Sequence, residues 1–173
     1  MTLPLWLRKM ENILRVLRNT DQSIPSYVWR ACLLSPLPSL FISAIVTGVR
    51  ASAGWGNPPL DLWRGPMWLV TLAALLLGPW IETLLMWPIL AILKKVVQNT
   101  ILVAVASAVV WGIFHGLTDP GWGLIVLWPF FVFSLCFLAW EQKSRKKAIV
   151  VTSLVHMCHN SVPVVSILAA RWL

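Results

Sequence analysis

Five apolar runs, each about as long as a bilayer's hydrocarbon core is thick, leave this chain little room for any other kind of fold. They extend from Tyr27 to Val49, Pro66 to Leu93, Ile101 to Leu117, Gly121 to Trp140 and Ala148 to Ala170. A helix needs ~20 apolar residues to cross ~30 Å of hydrocarbon, so each run reads as a transmembrane helix. Short polar connections separate the runs, with no Gly/Ser linker, low-complexity tract or internal repeat, so a single membrane-embedded unit is expected. Charged residues make up 12% of the chain, against about 25% in soluble domains. A soluble globular fold is excluded. The expected class is all-α: a polytopic membrane helix bundle of about five transmembrane helices with an N-terminal amphipathic helix.

That first helix is read from Pro4 to Asn19, where Trp6, Met10, Ile13, Leu14 and Leu17 recur at helical spacing between Arg8, Lys9, Glu11, Arg15 and Arg18. Residues 1–26 therefore read as a basic interfacial segment ahead of a transmembrane domain at 27–173, an ordinary solvated helix being the alternative. The segment lacks the compact apolar core and small-residue cleavage site of a signal peptide. Inside the spans stand Pro36, Pro38, Pro79, Pro88, Pro129 and Pro163. Membrane helices tolerate proline as a kink where neighbours satisfy the freed carbonyls. Gly78-Pro79 is expected to divide the long second run.

A net charge of +8 raises the question of nucleic acid, but its bearers flank apolar segments, where they set orientation and meet anionic lipid headgroups. Anionic lipids are thus the expected acidic partner, and no nucleic acid is. Arg8, Lys9, Arg15, Arg18 and Arg30, then Lys94 and Lys95, then Lys143, Arg145, Lys146 and Lys147 alternate with connections poorer in basic charge. Those connections hold Arg50 and Arg64 beside Asp61, and Asp119 alone. The positive-inside rule puts the N-terminus in the cytoplasm and the C-terminus, with Arg171, outside. The expected location is a multi-pass integral membrane protein, in the cytoplasmic membrane if the source is prokaryotic. Trp55, Trp63, Trp68, Trp122, Trp140 and Trp172 lie near span ends, where amphipathic rings favour the interface. Cys32, Cys136 and Cys158 each sit within an apolar run without metal-type spacing, and read as small core residues rather than a disulfide framework.

Of six acidic residues, Glu82 alone lies inside a span, and all three histidines, His115, His156 and His159, are in spans as well. Ionisable groups at that depth are costly and mark function by default. At ~1.5 Å per residue, Glu82 lies ~17 Å from the cytoplasmic end of its run, His115 ~21 Å, His156 ~12 Å and Asn160 ~18 Å. His156 and Asn160, four residues apart, share a helix face. These four side chains from three helices are expected to converge on a polar pocket near the midplane.

These residues resemble the CPBP intramembrane proteases, which include the type II CAAX prenyl endopeptidases and Abi-type proteins. The family's E-E-x-x-x-R motif resembles Glu82-Thr83-Leu84-Leu85-Met86-Trp87, its F-x-x-x-H motif resembles Trp111-Gly112-Ile113-Phe114-His115, and its H-x-x-x-N motif is matched by His156-Met157-Cys158-His159-Asn160. Order and spacing agree, from about Met67 onward. Thr83 stands where the family has its second glutamate, Trp87 where it has arginine, and Trp111 where it has phenylalanine.

The resemblance implies a glutamate-type intramembrane endopeptidase acting on a membrane-associated or lipidated peptide. Glu82, assisted by His115, would activate a water, and His156 and Asn160 would donate hydrogen bonds to the tetrahedral oxyanion. No cofactor or metal is needed in that scheme. Three other readings compete. A zinc-dependent membrane protease would ligate through Glu82, His115, His156 and His159, although the H-E-x-x-H signature is absent. A catalytically inactive relative would serve as a membrane chaperone or immunity partner. A small transporter would also place Glu and His at mid-membrane. There is no G-x-S-G motif and no aspartate within a span, which argues against serine and aspartyl intramembrane proteases. His159 points ~100° around the helix from Asn160 and reads as structural.

Overall fold

A computed structural model describes residues 5–55 and 66–172. In chain order its helices are α1 (Leu5–Arg18), α2 (Ile24–Leu34), α3 (Pro36–Ser52), α4 (Met67–Leu72), a π-helical turn (Ala73–Leu77), α5 (Gly78–Val96), α6 (Thr100–Gly116), α7 (Pro120–Glu141) and α8 (Arg145–Trp172). Among the described residues there is no strand. Pro4, Asp61, Trp63 and Arg64 lie outside the described residues, as do the side chains of Trp6, Arg8, Lys9, Met10, Arg171 and Trp172.

The protein is a polytopic helical bundle. Four stretches are long and apolar enough to cross a membrane: Ile24–Ser52, Met67–Val96, Pro120–Glu141 and Arg145–Ser166. The remaining apolar helix, α6, has 17 residues and reaches about 26 Å, the lower limit for a span. Asn99 begins it abruptly by accepting the N–H groups of Ile101 and Leu102, which satisfies donors that the first turn leaves free.

Proline shapes the two longest stretches without cutting them. Between α2 and α3 the helix is interrupted only at Ser35, whose backbone stays in the α region, ahead of Pro36 and Pro38. The α-helical donor for the Leu34 carbonyl would be the nitrogen of Pro38, which has no hydrogen. The indole N–H of Trp128 takes its place at 3.0 Å. The expected division at Gly78-Pro79 does not occur. Instead the helix widens by one π turn, in which the Gly78 N–H reaches back to the Ala73 carbonyl, and α5 continues through Pro79. A π bulge absorbs the missing proline donor while keeping the axis continuous.

Helix α7 forms the centre. Every residue from Val132 to Trp140 is buried, as are Pro129 and Phe130, and α6, α8, α3 and α1 surround it. A helix apolar all round has no lipid or water face to prefer and so occupies the interior. Trp140, expected at the interface, is accordingly 3% exposed and meets Tyr27 edge to face. Trp55 and Trp68 are both exposed. Helix α1 lays Leu17, Ile13 and Leu14 against this core and is pinned where the Tyr27 hydroxyl donates to the Leu17 carbonyl at 2.6 Å. Arg15 and Arg18 stay on its exposed side.

Charged side chains gather at the ends of the bundle. At one end Lys94 pairs with Glu141, and Lys143 with Asp21 and the Thr20 carbonyl. At the other, Arg50 pairs with Asp119, which also caps α7 by accepting the Trp122 N–H. The Arg50 guanidinium holds the Asp119 carboxyl below the usual carboxylate range, so this pair stays ionised near neutral pH.

The cysteines depart from the sequence reading. Cys32 of α2 and Cys158 of α8 form a disulfide, with Cα atoms 5.9 Å apart across 126 residues of chain. Cys136 is free and buried, as expected. The spacing along the chain held no sign of this bond because only the docking of α2 on α8 brings the two thiols together.

Glycine sets the approach of α6 to α7. A Cβ on Gly123 would lie 2.5 Å from the Gly112 carbonyl oxygen and 2.8 Å from the Gly116 Cα. Gly112 and Gly116 are four apart on one face, the small-residue spacing that lets membrane helices meet backbone to backbone. Gly123→Ala is therefore expected to destabilise the bundle by about 1–3 kcal/mol, read as a lower midpoint of denaturant unfolding in detergent. Gly48→Ala is the control, since its Cβ meets nothing within 4 Å. Equal midpoints for the two variants would contradict the close α6–α7 contact.

Candidate active site

Glu82 lies on α5 one turn beyond the π bulge, and its side chain leans back over Gly78, where an added Cβ would come within 3.9 Å of Oε1. Its other oxygen, Oε2, faces His156 Nε2 of α8 at 3.7 Å. The pair is unequal in exposure: the His156 side chain is 5% exposed and that of Glu82 27%. At 3.7 Å the contact is electrostatic rather than a direct hydrogen bond, a separation that one bridging water spans. His156 is gripped by aromatic rings of α7, stacked on Phe133 with centroids 4.3 Å apart and edge-on to Phe130 at 5.6 Å. Its Nδ1 is buried without a partner.

His115 is held by its own helix. Its Nδ1 lies 2.9 Å from the Trp111 carbonyl oxygen. A carbonyl only accepts, so Nδ1 carries the hydrogen and Nε2 of the neutral ring presents a lone pair. The ring packs against Trp122 at 4.8 Å and against Phe130 at 5.2 Å. Phe130 thus packs against both His115 and His156. No hydrogen bond or ion pair joins His115 to Glu82 among the described residues.

Asn160 and His159 point to different neighbours. The Asn160 Nδ2 donates to the Ala74 carbonyl in the π turn at 2.9 Å. His159 Nδ1 is 2.8 Å from Ser35 Oγ at the α2–α3 junction, and its ring meets Phe133 edge-on. Of the four expected residues, Glu82 and His156 meet directly, His115 reaches them through Phe130, and Asn160 lies about one turn along α8 from His156. The antiparallel course of α5 and α8 produces this order: 156 opposite 82, and 160 opposite 74.

Among the described residues no group of three or more His, Cys, Asp or Glu side chains is placed to hold a metal ion. With His159 turned to Ser35 and His115 to Trp111, the Glu82, His115, His156 and His159 ligand set is not assembled. Where the resembled motif has its second glutamate, Thr83 is fully buried with an unpartnered Oγ1. Where it has arginine, the Trp87 ring lies under the Arg145 guanidinium of α8, 4.3 Å from its centroid. A cation thus reaches this place on α5 from the neighbouring helix.

Several contributors escaped the sequence reading. Phe130 and Phe133 looked like ordinary apolar residues of a span. Ser35 and the Ala74 carbonyl gave no motif, though Pro38 and Pro79 each signal a freed carbonyl four or five residues upstream. The disulfide joins α8 at Cys158, between His156 and Asn160, and so fixes this stretch against α2. Alkylation of the denatured protein is expected to label one cysteine, Cys136, without reductant and all three after reduction. Three labels without reductant would show that the bond does not form.

The family model described as "Type II CAAX prenyl endopeptidase Rce1-like" matches residues 63–162, more than half of the chain and the whole stretch holding the three motifs. No curated protein and no solved structure matches the chain.

Proposed function

Since this chain belongs to the Rce1-like family of type II CAAX prenyl endopeptidases, within the CPBP proteases, we propose that it hydrolyses a peptide bond of a membrane-associated or lipidated peptide by glutamate-activated water. The observation that carries this reading is the approach of Glu82 Oε2 to His156 Nε2 at 3.7 Å. A water between them would be deprotonated by the carboxylate while the imidazole N–H orients it or the carbonyl it attacks. His115, whose free Nε2 is a proton acceptor, assists by relaying a proton to the leaving amine. His156 and Asn160 supply N–H donors to the oxyanion. The scheme uses no metal or other cofactor.

The proposed orientation follows from the end of the bundle that holds Lys94, Lys143 and Arg145. By the positive-inside rule this end, with α1, is cytoplasmic and meets anionic headgroups. Residues 1–26 then form an interfacial segment and 27–173 the transmembrane catalytic domain.

The test is cleavage of a membrane-associated peptide by the purified protein in liposomes. Glu82→Gln and His115→Ala are each expected to lower kcat by roughly 10²–10⁴-fold, the usual contribution of a general base, with unfolding midpoints near wild type. EDTA and phenanthroline are expected to leave the rate unchanged. Full activity in Glu82→Gln would refute the mechanism. A wild type that binds the peptide without cleaving it, with binding kept in Glu82→Gln, would instead make the chain an inactive relative acting as a chaperone or immunity partner.

A further inference from the structure

The π turn next to Glu82 has a consequence for Asn160. Within Ala73–Leu77 the register shifts so that the Gly78 N–H bonds the Ala73 carbonyl. In α-helical register Ala74 would use that same N–H, and in π register it would use the nitrogen of Pro79, which has no hydrogen. The Ala74 carbonyl is left without a main-chain donor. In an apolar medium an unsatisfied carbonyl is costly, and Asn160 Nδ2 meets it at 2.9 Å. The same logic operates at Leu34, where Pro38 removes the donor and the Trp128 indole replaces it at 3.0 Å. Trp128, however, has one N–H and is used up by that contact. A primary amide has two.

A side-chain amide that anchors one N–H on a fixed carbonyl loses rotation about its last torsion, and its second N–H acquires one direction. Asn160 is four residues from His156 on the same helix, whose Nε2 faces Glu82. Nearby, the Cys32–Cys158 disulfide and the Ser35–His159 contact tie this turn of α8 to α2. The amide plane is thus fixed from one side by covalent tethering of its helix and from the other by the Ala74 carbonyl.

We propose that the Ala74 carbonyl, freed by the π turn and Pro79, is the positioning group for Asn160: it holds one N–H of the amide so that the other is directed at the oxyanion. This inference rests on the protease reading above and adds main-chain and proline elements outside the three motifs. Ala74 touches no substrate in this arrangement and acts only through Asn160.

The experiment introduces Pro79→Ala into the full-length protein, which supplies the absent N–H to the Ala74 carbonyl and releases Asn160. Turnover is expected to fall roughly 10- to 100-fold, the size of effect that misplacement of a reacting group produces, while KM stays within about twofold and the unfolding midpoint does not drop. In an Asn160→Ala background, Pro79→Ala is expected to add no further loss. As a readout independent of activity, the Asn160 side-chain amide, assigned by ¹⁵N labelling, is expected to show one slowly exchanging proton in wild type and none in Pro79→Ala. Normal turnover in Pro79→Ala, losses that multiply with those of Asn160→Ala, or two freely exchanging Asn160 protons in wild type would each overturn the inference. If Glu82→Gln abolishes cleavage while Pro79→Ala does not, the protease reading stands and this inference alone falls. A wild type without cleavage overturns both.

Discussion

Polar groups placed in an apolar medium must find partners inside the protein, and the rest of this structure is arranged around that requirement. Glu82 is the sharpest instance, a carboxylate within a span that faces His156 at 3.7 Å. The same requirement places Trp128 on the Leu34 carbonyl, Asn160 on the Ala74 carbonyl and Ser134 on Ser107. Each contact joins two helices. The polar interior is therefore part of what fixes the helices relative to one another.

Helix α7 supplies the apolar half of the arrangement. Phe130 and Phe133 present flat faces and edges to His115, His156 and His159, which limits each imidazole to a narrow range of ring orientations. The close contact of Gly123 with Gly112 and Gly116 brings α6 near enough for His115 to share Phe130 with His156. A wider α6–α7 spacing would leave His115 on its own helix, bonded to Trp111 and remote from the pair. Aromatic rings backed by a buried helix thus hold the three imidazoles in place.

The elements were readable because hydrophobic runs of span length and flanking lysines and arginines are local signals. Glu82, His115, His156 and Asn160 stood out for a related reason: polar residues in apolar runs are conspicuous. Their mutual arrangement was not, because it depends on which helix faces which. The depth estimate put Asn160 nearest the level of Glu82, yet it is His156 that faces Glu82, while Asn160 meets a main-chain carbonyl that no residue type announces. Gly78-Pro79 predicts a break because proline lacks a donor, and the structure meets the same deficit by widening one turn. The Cys32–Cys158 bond spans 126 residues and depends wholly on tertiary docking. Trp140 sits at a span end in sequence but is buried in space, where Tyr27 of α2 meets it edge to face.

The central claim is that Glu82 activates water rather than attacking the peptide itself. A single turnover in H₂¹⁸O, with enzyme in excess over peptide, distinguishes the two. If a water deprotonated by Glu82 adds to the scissile carbonyl, the new C-terminal carboxylate carries ¹⁸O after the first turnover and Glu82 carries none, by mass spectrometry of both product and enzyme. An unlabelled first product together with ¹⁸O in the Glu82 side chain would mean that the carboxylate formed an acyl intermediate, and would contradict the account.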